Sequence, residues 1–227
     1  MLSAVIFDFD GIIVDTEPLH YKAFQEILVP LGLGYSWTDY LRHYIGFDDR
    51  DAFREAFRAG ERALDEHSLQ LVIGEKAAAF QRIIAAGVEA YPGVVELIRA
   101  VAGNLPLGLC SGALPSDIEP ILRQLGINGI FDAVVTAADV EASKPDPASY
   151  TLAVARLQAA YPAHEIPPVN CLAIEDTPAG IASARGAGLQ VLAVANSYPE
   201  EKLAGAGRVV GSLAGVDLQS LRLLFHS

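Results

Sequence analysis

From Tyr91 onward the chain repeats one pattern, a helical stretch followed by a short apolar run, and that repetition leaves few folds open. Helices expected over Val94–Val101, Pro115–Leu125, near Pro147–Leu157 and over Pro178–Gly186 alternate with strand-like runs at Leu107–Cys110, Ala133–Val135, Cys171–Ile174 and Val191–Val194. A last packing helix is expected over Leu218–Phe225. Apolar runs this short and this continuous read as strands buried on both faces, so the sheet is parallel. Right-handed crossovers then place helices on both faces and bring every strand's carboxyl end to one edge, where ligands bind in such sheets. The run Val5-Ile6-Phe7 adds a further strand at the start. It stops at Asp8-Phe9-Asp10-Gly11, followed by Asp15-Thr16. Asp8 and Asp10 fall on the same side if the strand stays regular, and Gly11 lets the backbone turn out of the sheet.

Between Pro18 and about Gly87 the strand signal vanishes and helical spacing replaces it. Leu19, Ala23, Phe24, Ile27 and Leu28 form one apolar face, and Leu64, Leu69, Leu71, Val72, Ala79, Phe80, Ile83 and Ile84 mark later helices. Turns are expected at Pro30-Leu31-Gly32 and Gly46-Phe47-Asp48-Asp49, and Pro92-Gly93 leads back to the α/β pattern. The architecture expected is α/β, a Rossmann-like parallel-sheet core of residues 1–15 and 88–227 with an inserted all-helical domain at 16–87. Phe24, Trp37, Tyr40, Tyr44, Phe53 and Phe57 read as the core of that helical bundle. His20, Arg50 and Lys76 are its candidate polar contacts, each weighed against the plainer reading of a solvated face.

Charge narrows the partners. Sixteen basic against 28 acidic residues in 227 give a net charge of −12, which disfavours nucleic acid or an anionic membrane surface, so any anion the protein handles needs positive charge supplied locally. A hydrophobic fraction of 52% and a mean hydropathy of +0.31 promise a well-filled interior. Cys110 and Cys171 each lie inside an apolar run and read as buried free thiols. No signal-peptide pattern and no bilayer-length apolar stretch stands out, and a cytoplasmic monomer is the expectation.

The chemistry lies in the segments just past the strands. The first strand ends in Asp8 and Asp10, the second in Ser111-Gly112, the third is followed by Lys144-Pro145-Asp146-Pro147, and the fourth ends in Glu175-Asp176. Each set alone has a plain reading as a helix cap or turn. Together they place one hydroxyl, one cation and four acids, in order, at one sheet edge.

These residues resemble the haloacid dehalogenase superfamily of phosphotransferases. The spelling Phe7-Asp8-Phe9-Asp10-Gly11 with Asp15-Thr16-Glu17-Pro18-Leu19-His20 is similar to the β-phosphoglucomutase-like branch, which carries a helical cap. The resemblance implies that Asp8 is the nucleophile, Asp10 the general acid and then base, and Lys144 the cation steadying nucleophile and phosphate. It implies that Ser111 and Gly112 bind phosphate, with Thr16, His20 and Lys76 as further substrate contacts, and that Mg²⁺ is held by Asp8, Glu175, Asp176 and the Asp10 carbonyl.

Elementary chemistry supports those roles. A carboxylate and a phosphoryl group repel each other, so attack needs neutralisation by Mg²⁺ and the Lys144 ammonium. A covalent aspartyl-phosphate divides one hard displacement into two easier ones, with Asp10 placed for proton transfer in each. Backbone N–H groups at the start of the helix after Ser111 are expected to cradle phosphate oxygens. Carbon–halogen hydrolases of the superfamily lack the second Asp, and ion-pumping ATPases carry Lys-Thr-Gly after the nucleophile; this chain fits neither. Mutases of the branch read Ser-x-Ser-Lys after strand two and carry an Arg three residues after a cap Gly. Here the first loop is Ser111-Gly112-Ala113-Leu114, and Asp49 stands three after Gly46 with Arg50 one place late. The expectation is therefore a Mg²⁺-dependent phosphatase acting on a small phosphorylated metabolite of the sugar or polyol class. A sugar-phosphate mutase and a non-hydrolytic phospho-acceptor or regulatory phosphate-binding protein stand as alternatives.

Overall fold

The computed structural model describes residues 1–44, 47 and 49–223. The chain divides into two compact units, 1–15 with 88–227 and 16–87.

In the first unit the strands are β1 (Ala4–Phe7), β2 (Leu107–Cys110), β3 (Ala133–Val135), β4 (Cys171–Glu175), β5 (Gln190–Val194) and β6 (Arg208–Val210). They form one parallel sheet in the order β3-β2-β1-β4-β5-β6. The two halves of the order run away from each other on either side of β1 and β4. That reversal opens a crevice at the carboxyl ends of those two strands.

Alternation along the strands sorts the core. Ala4, Ile6, Cys110, Ala133, Val135, Cys171, Ala173, Val191 and Ala193 pack in one cluster with Tyr150, Ala153 and Leu157 of helix α7 (Ala148–Ala160) and Ile181 and Ala184 of helix α8 (Pro178–Gly186). Val5, Phe7, Leu107, Leu109, Leu172, Ile174, Leu192 and Val194, which alternate with them, are buried as well, so both faces of the sheet are covered. Helices α5 (Val94–Val101) and α6 (Pro115–Gln124) precede and follow β2, and α9 (Leu218–Leu223) packs on α5. α9 is the helix expected at the tail; the last residues of the expected span, as far as Phe225, lie outside those described. β6 was not expected: three residues led by an exposed arginine carry too little apolar signal.

The second unit is helical: α1 (Glu17–Leu28), α2 (Trp37–His43), α3 (Asp49–Ala59) and α4 (Glu66–Ala85). Phe24, Leu28, Tyr40, Tyr44, Phe53 and Leu69 form its core, with Phe57 packed against them. Trp37 departs from expectation. It opens α2 at the surface, stacked on Tyr40 and edge-on to Tyr21, because Ser36 caps the helix one residue earlier and turns that first position outward. The turn expected at Gly46–Asp49 includes Gly46 and Asp48, which lie outside the described residues.

Candidate active site

β1 ends at Phe7, and the chain leaves the sheet in a tight loop. The Asp8 N–H still donates to the Ile174 carbonyl of β4 at 3.0 Å, while Gly11 turns at φ +77° and its N–H donates to Val14 at 2.8 Å. A Cβ on Gly11 would stand 1.9 Å from an Asp176 carboxylate oxygen, so glycine is required for backbone conformation and for space alike. The Asn196 amide, after β5, donates to the Gly11 carbonyl at 2.7 Å and pins the loop from the opposite side.

Lys144 reaches this edge from the loop after β3, through a cis Lys144–Pro145 peptide. Its ammonium donates to Asp8 Oδ1 at 2.6 Å, Glu175 Oε1 at 2.7 Å and the Cys110 carbonyl at 3.2 Å. Three protons meet three acceptors. Burial disfavours the ammonium, but Asp8 and Glu175 outweigh it and hold the Lys144 pKa well above its ordinary value.

Glu175 is fully buried and held at both oxygens. Oε1 accepts from Lys144 and from the Tyr150 hydroxyl at 2.9 Å. Oε2 accepts from the Asp176 N–H, the Thr177 N–H and the Thr177 hydroxyl, at the start of α8. Asp176 differs: both its carboxylate oxygens are buried, and neither makes a hydrogen bond of good geometry. Burial pushes its pKa up to about 7; the nearby Ser197 hydroxyl pulls the other way, and Glu175 adds to the rise. Burial, then Glu175, raises the Asp8 carboxyl well above the usual carboxylate range, against the pull of Lys144.

Asp8, Glu175 and Asp176 each offer an oxygen within 4.8 Å of the others. Asp10 adds its charge to those felt by Asp8 and Asp176, and the Asp176 carboxylate, buried without a hydrogen bond of good geometry, stands in this acidic group. Hard oxygen donors with uncompensated negative charge fit a small divalent cation. Since both Glu175 oxygens are engaged, Asp8 and Asp176 have the oxygens best free to hold it.

Ser111 is buried at the end of β2, and its Oγ accepts from the Ala113 N–H at 3.0 Å, leaving the hydroxyl proton as the donor it offers. Helix α6 begins only at Pro115, which has no N–H to give. α6 thus starts where the sequence placed it, and the backbone N–H groups nearest Ser111 lie in the turn at Gly112 ahead of that helix. Ser111, Gly112, Ser143, Lys144 and Ser149 line a recess of about 140 Å³. Cys110 is a buried free thiol whose pKa burial pushes up to about 11, as unreactive as the sequence suggested. Cys171 is likewise free and buried.

In the helical unit Lys76, for which a solvated face was the plainer reading, is buried. Its ammonium lies 2.6 Å from Asp49 Oδ1, 2.9 Å from His20 Nδ1 and over the rings of Phe24 and Phe80. Lysine has no acceptor, so His20 Nδ1 accepts and the ring proton sits on Nε2. Burial, then Lys76, pulls the His20 pKa down to about 3. Arg50 pairs with Glu66 at the exposed surface, as the plainer reading had it. Thr16 is buried at the entry to α1, where its carbonyl accepts from the Leu19 and His20 N–H groups.

Nothing in the sequence singles out Tyr150, Asn196 or Ser197. The tyrosine has core spacing in its helix, and the other two come after a strand whose end carries no acid. Among the described residues no helix is long and apolar enough to cross a membrane.

The fructose-1-phosphate phosphatase YqaB of Escherichia coli is 32% identical over 195 residues, 85% of this chain and 96% of that protein. The β-phosphoglucomutase of Bacillus subtilis is 28% identical, covering 97% and 94%. The crystal structure of CbbY from Rhodobacter sphaeroides in complex with phosphate superposes with a TM-score of 0.83 at 26% identity, over 98% of this chain and all of that one. A family model described as haloacid dehalogenase-like hydrolase matches residues 5–194, and the chain belongs to that family.

Proposed function

We propose that the protein is a Mg²⁺-dependent phosphatase of a small phosphorylated metabolite of the sugar or polyol class, working through an aspartyl-phosphate on Asp8. The observation that carries this reading is Lys144, shared at 2.6 and 2.7 Å between Asp8 and Glu175 beside the unpaired carboxylate of Asp176. The similarity to a phosphatase of fructose 1-phosphate supports the substrate class.

Asp8, Asp176 and the Asp10 carbonyl are the proposed Mg²⁺ ligands, with Glu175, the fourth member of the expected set, completing the acidic cluster while both its oxygens are engaged by protein donors; the bound ion would neutralise phosphoryl charge. Asp8 attacks phosphorus, the ester P–O bond breaks, and Asp10 gives its proton to the departing alkoxide. Asp10 then takes a proton from water as the water oxygen attacks phosphorus, and Asp8 leaves as carboxylate. Such proton transfers contribute ~10²–10⁴-fold. Lys144 holds the nucleophile's charge, and Ser111 with the Gly112 turn receives phosphoryl oxygens. The 16–87 unit is the proposed source of substrate selectivity, with His20 and Lys76 as its polar centre and Thr16 at its entry.

A mutase is the second reading, favoured by the likeness to β-phosphoglucomutase. Against it, the turn Ser111-Gly112-Ala113-Leu114 has neither a second serine nor a lysine, and Asp49 already matches the Lys76 charge.

The test supplies a chromogenic phosphate monoester with Mg²⁺ to the protein and to Asp8→Asn. Metal-dependent phosphate release by the first alone is expected; release by both, or by neither, removes the phosphatase assignment. Supplying β-glucose 1-phosphate with a trace of the 1,6-bisphosphate separates the readings, since glucose 6-phosphate accumulating faster than phosphate would make the protein a mutase.

A further inference from the structure

Tyr150 sits in the first turn of α7, a turn held by the Ser183 hydroxyl on the Asp146 carbonyl at 2.6 Å and by Asp146 Oδ1 on the Ala148 N–H at 2.9 Å. Its ring is fully buried, and two of its contacts go beyond packing. The hydroxyl donates to Glu175 Oε1 at 2.9 Å, and the ring centroid lies 5.0 Å from the Lys144 ammonium. Burial, then Glu175, keeps the phenol well above its ordinary pKa, so it stays a donor.

We propose that Tyr150 is a positioning residue for hydrolysis: its hydroxyl holds the Glu175 carboxylate so that Lys144 is shared with Asp8 instead of being drawn onto Glu175. This rests on the phosphatase reading. Oε2 is held by the Asp176 and Thr177 N–H groups and the Thr177 hydroxyl, just ahead of α8, which limits how far the carboxylate can swing to find another partner. Oε1 accepts from Lys144 and Tyr150. Without the phenol, a fully buried anionic oxygen depends on the lysine, and at low local polarity its pull on that proton donor strengthens. The lysine's other strong partner is the nucleophile, at almost the same distance. The cost therefore falls on Asp8, whose charge is then less well balanced as it meets phosphate. The ring contributes separately, as a face for the cation.

A purely architectural role is the competing account, because the same ring belongs to the core beneath the sheet. Tyr150→Phe separates them, since it keeps the ring and deletes the hydroxyl, and Tyr150→Leu deletes both. Steady-state hydrolysis of a phosphomonoester at saturating Mg²⁺ is the readout, with thermal unfolding alongside. For Tyr150→Phe, kcat is expected to fall about 10-fold, the scale of groups that orient their neighbours, with KM within about twofold. The unfolding midpoint is expected to drop by no more than about 5 °C. Tyr150→Leu should lose more kcat than Tyr150→Phe. A Tyr150→Phe enzyme with the parent's kcat, one whose kcat and KM shift together, or one that fails to fold would each overturn the proposal. If the parent protein releases no phosphate, the phosphatase reading is what has failed.

Discussion

Lys144 is the residue on which most of the site's electrostatics converge, and its removal has two consequences of different size. Losing it leaves Asp8 and Glu175 buried without a cation, but the Asp8 carboxyl, whose pKa burial already raises, can take up a proton, which limits the damage to folding. We expect Lys144→Ala to lower stability by about 2–3 kcal/mol, at or below the usual range for half-broken buried pairs. Its kcat should fall ~10²–10³-fold, as when one charge-stabilising donor is deleted from a reacting centre. Urea unfolding and steady-state rates on one preparation check both; a stability loss of that size with kcat intact would take Lys144 out of the chemistry. His20 offers a test within the helical unit. Its folded pKa of about 3 lies below its ordinary 6.5, so as pH falls between those values the unfolded chain takes up a proton that the folded chain refuses. Stability from this group is thus complete above pH 6.5 and is lost progressively down to about 3, with a slope of at most about 1.4 kcal/mol per pH unit. Among the described residues, the charges facing the ring are Lys76 on α4 and, beyond it, Asp49 on α3. His20→Asn, which does not titrate, should flatten the acid side of the stability profile; an unchanged profile would mean the ring is protonated when folded.

Among the elements, α8 shows a local preference yielding to a contact. A helix-interior glycine costs up to about 1 kcal/mol against alanine, yet Gly180 lies in its first turn with a Cβ position 2.0 Å from the Glu175 carboxylate. Overpacking of that kind costs about 1–3 kcal/mol, so it exceeds the propensity gain. Gly180→Ala should therefore destabilise, and should also slow hydrolysis by displacing Glu175; stabilisation, measured by denaturant titration, would show that the carboxylate moves freely. Strands and strand ends were the legible part of this chain. Buried parallel strands leave continuous runs such as Leu107–Cys110 and Cys171–Ile174, and acids or a lysine at the ends of such runs contrast with everything before them. The illegible part shares its spelling with ordinary packing. Tyr150 occupies a helix position any core aromatic could fill, and only its phenol oxygen distinguishes it. Lys76 looked like a solvated helix residue because the Asp49 and His20 that receive it come from two other helices. Glu175 and Asp176, neighbours in one motif, divide in the structure into a carboxylate fully engaged and one left open, a difference that depends on Tyr150 and Thr177 and not on the motif itself.

At the scale of the molecule, the helical unit is an insertion whose two connections are adjacent within the α/β unit. Val14 bridges Ala90 antiparallel, and the Tyr91 N–H donates to Ile13 at 2.9 Å. Ends this close need only a short connector, and the α/β unit has its own buried cluster. Replacing residues 16–87 by a few Gly and Ser residues should give a folded protein that still hydrolyses a small chromogenic ester with Mg²⁺ but discriminates less among sugar phosphates. A collapsed or aggregated product by circular dichroism and gel filtration would show that the units fold only together.

The strand order also governs the lifetimes of individual amide protons. β1 lies between β2 and β4, and the N–H of Asp8 itself is one of the bonds joining it to β4. Edge strands such as β6 can open locally, but the centre of a sheet exchanges its protons with solvent only when the whole unit unfolds. In deuterium oxide the Asp8 amide should thus be among the last to exchange, hours behind Val209, and its decay would report the global unfolding equilibrium. The proposed acceptor of the phosphoryl group is clamped at its backbone to the longest-lived part of the fold.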